Sequence, residues 1–236
     1  MRSFFIALAA AAFIGASASA QTAPPAIRPV VHAPPIIDAP ALVGAPPTAE
    51  SAQQAADRLS MRPAVSPERL AQARADIPWS PWAAMHPVFG DTFTAARLPR
   101  TARVFDEVLN GVSPPIGAAK ERYARHRPFI ADPNVVQCDP PDAVLTASGS
   151  FPSGHGAGGW AWALVMAELV PSRADAILQR GRDYGDSRVI CGYHFPSDIE
   201  SGRILAAAVI ARLHADAGFR RDLDAARSEL ARAYSR

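Results

Sequence analysis

From Gly156 to Val170 the chain reads Gly-Ala-Gly-Gly-Trp-Ala-Trp-Ala-Leu-Val-Met-Ala-Glu-Leu-Val. This is an apolar segment of helical composition, too short to cross a bilayer, and so a helix that the rest of the chain has to bury. The residues before it, Pro152-Ser153-Gly154-His155, form a turn at the N-terminus of that helix. Unpaired backbone N–H groups and the positive end of the helix dipole favour an anion there. Gly154 allows close backbone approach and Ser153 adds a hydroxyl donor.

A second segment, Ser187-Arg188 followed by His194 and Asp198, carries complementary chemistry. Pro196 suits a first helical position, so Asp198 falls in the first turn of a helix running on through Leu213. A carboxylate four residues beyond an imidazole accepts from one ring nitrogen, fixes the tautomer and leaves the other lone pair outward. His194 therefore reads as a nucleophile or base, and His155 as the second acid/base. Upstream, Lys120 and Arg127 are seven residues apart, two turns on one helical face, and Pro128 ends that helix. Without the downstream segments, Lys120, Arg122, Arg125 and Arg127 would read as a solvated basic face. With Arg188, Lys120 and Arg127 form a three-cation phosphate site, two of them guanidinium groups that bind phosphate oxygens bidentately.

The three segments, in this order and spacing, resemble the signature of the type 2 phosphatidic acid phosphatase superfamily, which also contains vanadate-dependent haloperoxidases. The flanks, Ser148 to His155, Gly159 to Leu164 and Gly181 to His194, are more similar still to the class A bacterial non-specific acid phosphatases. The resemblance covers roughly Asp76 to Leu230. It implies His194 as the nucleophile forming a phosphohistidine, Asp198 as its orienting partner and His155 as the general acid. Lys120, Arg127, Ser153, Gly154 and Arg188 would bind the phosphoryl oxygens, with no metal and no cofactor. Substrates would be small phosphate monoesters, with phosphate or vanadate as inhibitors. One departure stands out: Gly156 occupies a position where a small polar residue such as threonine is expected.

Composition limits the other possibilities. With 49% hydrophobic residues in 236 and a net charge of +2, there is enough apolar material for one substantial core and no excess charge for a nucleic-acid surface. Residues 1–20 carry Arg2, the apolar run Phe4 to Ile14 and Ala18-Ser19-Ala20, the pattern of a cleavable signal peptide, which implies a periplasmic or secreted protein. No later run is long enough for a membrane span. In an oxidising compartment Cys138 and Cys191 pair as a disulfide, two buried free thiols being the alternative.

Residues 21–47, rich in proline and alanine, read as a disordered leader or an extended arm, unable to form a regular helix. The domain proper is 48–236. Residues 48–76 read as two helices broken at Pro63, with Ser66-Pro67-Glu68 starting the second. Trp79, Trp82 and Phe89 read as a core plug rather than a ligand platform. Arg100 to Leu109 reads as a short helix stopped by Gly111, and Ser113-Pro114 as the start of the helix bearing Lys120. Asp139 to Asp142 is loop, Ala174 to Arg182 helix, and Tyr184 to Gly192 the loop delivering Arg188. Phe219, Leu223, Ala226, Leu230 and Tyr234 recur at helical spacing and mark a docking helix.

The expected architecture is all-α, a compact single-domain helical bundle with the active site between helix ends. The competing functions are a haloperoxidase-like enzyme holding vanadate, and a non-catalytic secreted phosphate-binding or envelope protein. A homo-oligomer is compatible with the apolar arm.

Overall fold

Prolines open the helices of this chain more often than they break them. The computed structural model describes residues 36–61 and 64–234; the expected signal peptide and the arm up to residue 35 lie outside them. Among the described residues every regular element is helical. These are α1 Ala39–Val43, α2 Ala52–Leu59, α3 Pro67–Ala75, α4 Pro81–Phe89, α5 Pro99–Tyr123, α6 Pro128–Ala131, α7 Ala143–Ala147, α8 Gly154–Leu169, α9 Ala174–Ile190, α10 Pro196–Leu213 and α11 Ala217–Tyr234, with a 3-10 turn at Pro171–Arg173. Proline stands in the first turn of α3, α4, α5, α6 and α10, where its missing N–H has no helical partner to lose. Ser51, Ser66, Ser80, Asp142 and Ser153 each accept a backbone N–H as N-caps.

The apolar helix α8 is the centre of the molecule. It packs most extensively against α9 and α10, and α5 and α4 also lie against it. Trp162, Val165 and Met166 are fully enclosed, together with Val104, Val108 and Val112 of α5 and Leu205 and Val209 of α10. Helix α11 lays Phe219, Leu223, Ala226 and Leu230 into the same core. Each large side chain so buried contributes about 1.5–3 kcal/mol.

Several boundaries differ from the sequence reading, and the cause is mostly glycine. Helix α5 is one continuous helix, not two: Gly111 does not stop it, because a Cβ there would lie 3.0 Å from Val209 Cγ1 and 3.2 Å from Leu213 Cδ1. The glycine admits α10. Helix α9 likewise continues through the expected loop at 184–192, so Arg188 sits in its last turn. Gly181 is a contact point with α8, where a Cβ would approach Ala163 Cβ to 2.4 Å. At the other end of α5 the helix stops at Tyr123, with Ala124 in the left-handed region at φ 43°, so Lys120 and Arg127 do not share a helical face. Arg127 is extended at ψ 156° because Pro128 disfavours the helical conformation before it. Within the proline-rich arm, residues 39–43 form a short helix against α5 and α10, capped by Asp38, and Tyr123 Oη donates to Pro40 O at 3.1 Å.

Substituting Gly181→Ala should overpack the α8–α9 contact and cost about 1–3 kcal/mol. A denaturant midpoint unchanged from wild type would show that the two helices part more easily than their packing indicates.

Candidate active site

The N-termini of α8 and α10 and the C-terminus of α9 converge on a pocket of about 460 Å³. Lys120, Arg127, Arg188, Gly154, His155 and His194 all line it. Asp198 and Ser153 stand behind this lining, both fully buried. Ser153 Oγ accepts from Gly156 N at 3.1 Å as the cap of α8, and its backbone N–H donates to Asp198 O at 2.9 Å. The glycine at 154 serves packing: a Cβ would lie 2.5 Å from Trp79 Cζ3.

His194 is held in one tautomer. Arg127 Nη1 donates to its Nε2 at 3.0 Å, and a guanidinium has no lone pair, so Nε2 is unprotonated and Nδ1 carries the hydrogen. That hydrogen faces Ser150 Oγ at 3.3 Å and Asp198 Oδ2 at 3.5 Å. Ser150 Oγ in turn donates to the same carboxylate oxygen at 2.5 Å, and Phe195 N reaches it at 2.8 Å. The imidazole–carboxylate pairing expected from the spacing is present, with a serine hydroxyl shared between the two groups.

The other oxygen, Asp198 Oδ1, is taken by Arg125 Nη1 at 2.5 Å. Arg125 also binds Ser197 Oγ at 2.8 Å, Gln54 Oε1 at 2.6 Å and Asp57 Oδ2 at 2.8 Å. Far from lying on a solvated face, this guanidinium is buried between two carboxylates and over the Phe195 ring at 4.4 Å. Its partners lie some seventy residues away on either side, so no local pattern marked it.

His155 is braced by the segment between α3 and α4. Its Nε2 donates to Ile77 O at 3.0 Å, which leaves the Nδ1 lone pair as its exchangeable site, and its ring stacks on Tyr184 with centroids 5.2 Å apart. Tyr184 Oη donates to Pro78 O at 2.6 Å. The fully buried Asp76 anchors the segment through both of its oxygens to Arg180 and accepts from Ser187 Oγ at 2.6 Å. Trp79, expected in the core, is 42% exposed in the pocket wall, while Trp82 packs on Phe93 and Phe105 inside.

The three cations differ in how far the protein satisfies them. Lys120 Nζ donates to Gly149 O, and Arg127 donates to Ser148 O and Tyr193 O at 3.0 Å each. Arg188 lies over the Tyr193 ring at 4.3 Å, and its buried Nε and Nη1 have no hydrogen-bond partner among the described residues. Burial first, then mutual repulsion, lowers the Lys120 ammonium to about 7; burial lowers Arg127 and Arg188 to about 10 each. Burial, reinforced by the same cations, holds both His155 and His194 well below the usual imidazole range. The disulfide Cys138–Cys191, with Cα atoms 4.7 Å apart, ties the wall at 139–142 to the end of α9, and Tyr193 Oη donates to Asp139 O at 2.8 Å beside it.

Gly156, the one departure from the resemblance, is imposed by packing. A Cβ there would lie 2.9 Å from Ile199 O and 3.1 Å from Ile199 Cα, so the backbones of α8 and α10 meet at this point.

Two expectations follow. Arg125→Ala strands two buried carboxylates and should cost about 3–5 kcal/mol in denaturant unfolding, with Arg125→Lys intermediate. A loss below about 1 kcal/mol would mean that Asp57 and Asp198 find other partners. Second, groups whose folded pKa values are depressed bind fewer protons folded than unfolded, so the empty pocket loses stability as pH falls through the unfolded values. An oxyanion reverses that. Sulfate, which does not titrate in this range, should raise Tm more at mildly acid pH than at mildly alkaline pH, and an equal shift at both would contradict the coupling.

Comparison with known proteins agrees with this geometry. The sequence profile of the PAP2 superfamily matches residues 104–222, a span that contains all eight candidate residues. The acid phosphatase of Zymomonas mobilis is 42% identical over 144 residues, 61% of this chain and 54% of that protein. The non-specific acid phosphatase of Providencia stuartii is 47% identical over 116 residues, 49% of this chain and 46% of that protein. That of Salmonella typhimurium is 39% identical over 146 residues, 61% and 58% respectively. The chain thus spans about half the length of the curated relatives it matches. With half of its length matched, and an all-helical fold around a pocket of paired imidazoles and buried cations, the chain belongs to the PAP2 superfamily.

Proposed function

We propose that this chain is an exported acid phosphatase that hydrolyses phosphate monoesters through a phosphohistidine. The observation that carries the reading is the buried Arg188 guanidinium, whose Nε and Nη1 have no hydrogen-bond partner among the described residues, in a pocket lined by two imidazoles. Such a group calls for an oxyanion. In this reading residues 1–20 are a signal peptide, 21–47 an arm and 48–236 the phosphatase domain, placed in the periplasm or outside the cell.

The phosphoryl group lies on Lys120, Arg127, Arg188 and the first turn of α8, with the Ser153 hydroxyl hydrogen as a further donor. Arg127 then transfers its Nη1 hydrogen bond from His194 Nε2 to a phosphoryl oxygen, which frees the lone pair. His194 Nε2 attacks phosphorus, the P–O ester bond breaks, and His155 gives its Nδ1 proton to the leaving alkoxide. Asp198 and Ser150 stabilise the charge that develops on the His194 ring. In the second step His155 takes a proton from water, the hydroxide attacks phosphorus, and the P–N bond breaks to release phosphate. The preorganised cations meet the charge on the equatorial oxygens, so no metal is required. Inorganic phosphate and vanadate, as product and as its tetrahedral analogue, would compete for the same site.

The neutral His155 of the empty pocket becomes the acid because the substrate dianion compensates the cations that depress it. Activity should therefore fall as pH rises above neutral, and a profile still climbing there would contradict this assignment of acid and base. With a labelled alkyl phosphate and rapid quench into alkaline denaturant, where a phosphoramidate survives, wild type should retain label and His194→Ala none. His155→Ala should lose roughly 10²–10⁴ in kcat/KM for alkyl esters. Activity abolished by chelator and restored by a divalent metal would refute the metal-free mechanism.

A further inference from the structure

Above its cationic floor the pocket changes character. Its walls are Trp79, Ile77, Val144, Leu145, Pro140 and Pro141, with Val144 77% exposed. Among the described residues, no lysine or arginine lines it apart from the three floor cations. The charged groups nearer solvent are Asp139 and Asp142, both exposed, and Asp142 lies close enough for its carboxylate to act on the Arg127 guanidinium. The Trp79 indole is fixed from behind. It rests on the Gly154 backbone, lies 5.5 Å from the His155 ring and meets Trp162 edge-on at 6.5 Å. Trp79 is 42% exposed and lines the pocket.

We propose that this upper region is a leaving-group subsite for flat, uncharged, apolar alcohols, with Trp79 as the specificity-determining platform and Asp139 and Asp142 disfavouring a second anionic group. The inference rests on the phosphatase reading. A phosphoryl group on the floor directs its ester oxygen outward past His155 and Trp79. An aromatic alcohol then covers the indole and the Val144–Leu145 wall, removing apolar surface from water on both sides. A polar alcohol loses water against Trp79, Ile77, Val144 and Leu145, whose side chains replace none of its hydrogen bonds on that wall. A second phosphate or carboxylate finds no cation left and two carboxylates nearby.

The test compares kcat/KM for benzyl phosphate, 4-carboxybenzyl phosphate and 2-hydroxyethyl phosphate, whose alcohols are of similar basicity, at one mildly acid pH. Wild type should prefer the benzyl ester over both others. Trp79→Leu should lower the benzyl to hydroxyethyl ratio about fivefold, while Trp79→Phe keeps most of it. Asp142→Asn, which retains an N-cap for α7, should narrow the benzyl to carboxybenzyl ratio about threefold. Equal kcat/KM for benzyl and hydroxyethyl phosphate in wild type overturns the subsite. So does a Trp79→Leu enzyme that loses both esters alike, since the indole would then only support His155. Should Trp79→Leu fail to fold, the Asp142→Asn ratio decides, and an unchanged value overturns the proposal. Failure of wild type to hydrolyse any of the three would refute the phosphatase reading itself.

Discussion

Lys120, Arg127 and Arg188 are held in one buried pocket against their mutual repulsion, and much of the surrounding structure follows from keeping them there. The chain contains two kinds of buried arginine. Arg125 and Arg180 are neutralised by carboxylates, Asp57 with Asp198 and Asp76 respectively. They join helices. Arg127 and Arg188 are met instead by carbonyl oxygens and an aromatic face, acceptors that orient a guanidinium without cancelling its charge. Asp198, the carboxylate behind the pocket floor, has both oxygens committed elsewhere. Among the described residues no carboxylate pairs directly with these three cations, and the pocket keeps a positive field in a setting where an ionic contact is far stronger than in water.

Holding such a field requires rigid supports, and these come from helix ends rather than loops. Three helices deliver their termini to the site, and α8 and α10 touch backbone to backbone at Gly156 and Ile199. Arg125 links α2 to the start of α10, and Asp76 links the segment before α4 to α9. Both networks lie one layer behind the imidazoles. The side chains lining the pocket therefore inherit their positions from buried ion pairs, whose value is in fixing geometry more than in net stability.

The sequence made the site legible wherever the chemistry was local. The proline before Asp198, the serine cap ahead of α8 and the four-residue spacing of His194 and Asp198 each state a conformation in a few residues. Residues that act across the fold left no such trace. Ser150, Asp57, Asp76 and Arg180 have partners 44 to 140 positions distant, and nothing nearby distinguishes Arg125 from an exposed arginine. Gly111 reads from the sequence as a helix stop, whereas the chain uses it, like Gly181, to let helices approach. Trp79 was read from composition as core because a tryptophan is usually core, and only the packing on Gly154 turns it to face the pocket.

One conflict within the site explains how its parts fit together. In the proposed mechanism the general acid must be protonated, yet burial, reinforced by Arg188, His194 and Arg127, drives His155 toward neutrality, and burial with the neighbouring guanidinium groups weakens the Lys120 ammonium. Were the field tuned to the imidazole, an acidic side chain beside His155 would relieve the conflict, but its Nε2 has only a backbone carbonyl. The field is tuned to the oxyanion. In the proposed phosphatase reading, a dianion entering the pocket would supply counter-charge to Lys120, Arg188 and His155 at once, so that protonation of the acid and seating of the phosphoryl group would become a single event. An uncharged molecule in the same cavity would leave His155 without its proton, and so the discrimination for phosphate esters would operate in the acid itself as well as in the binding of the anion.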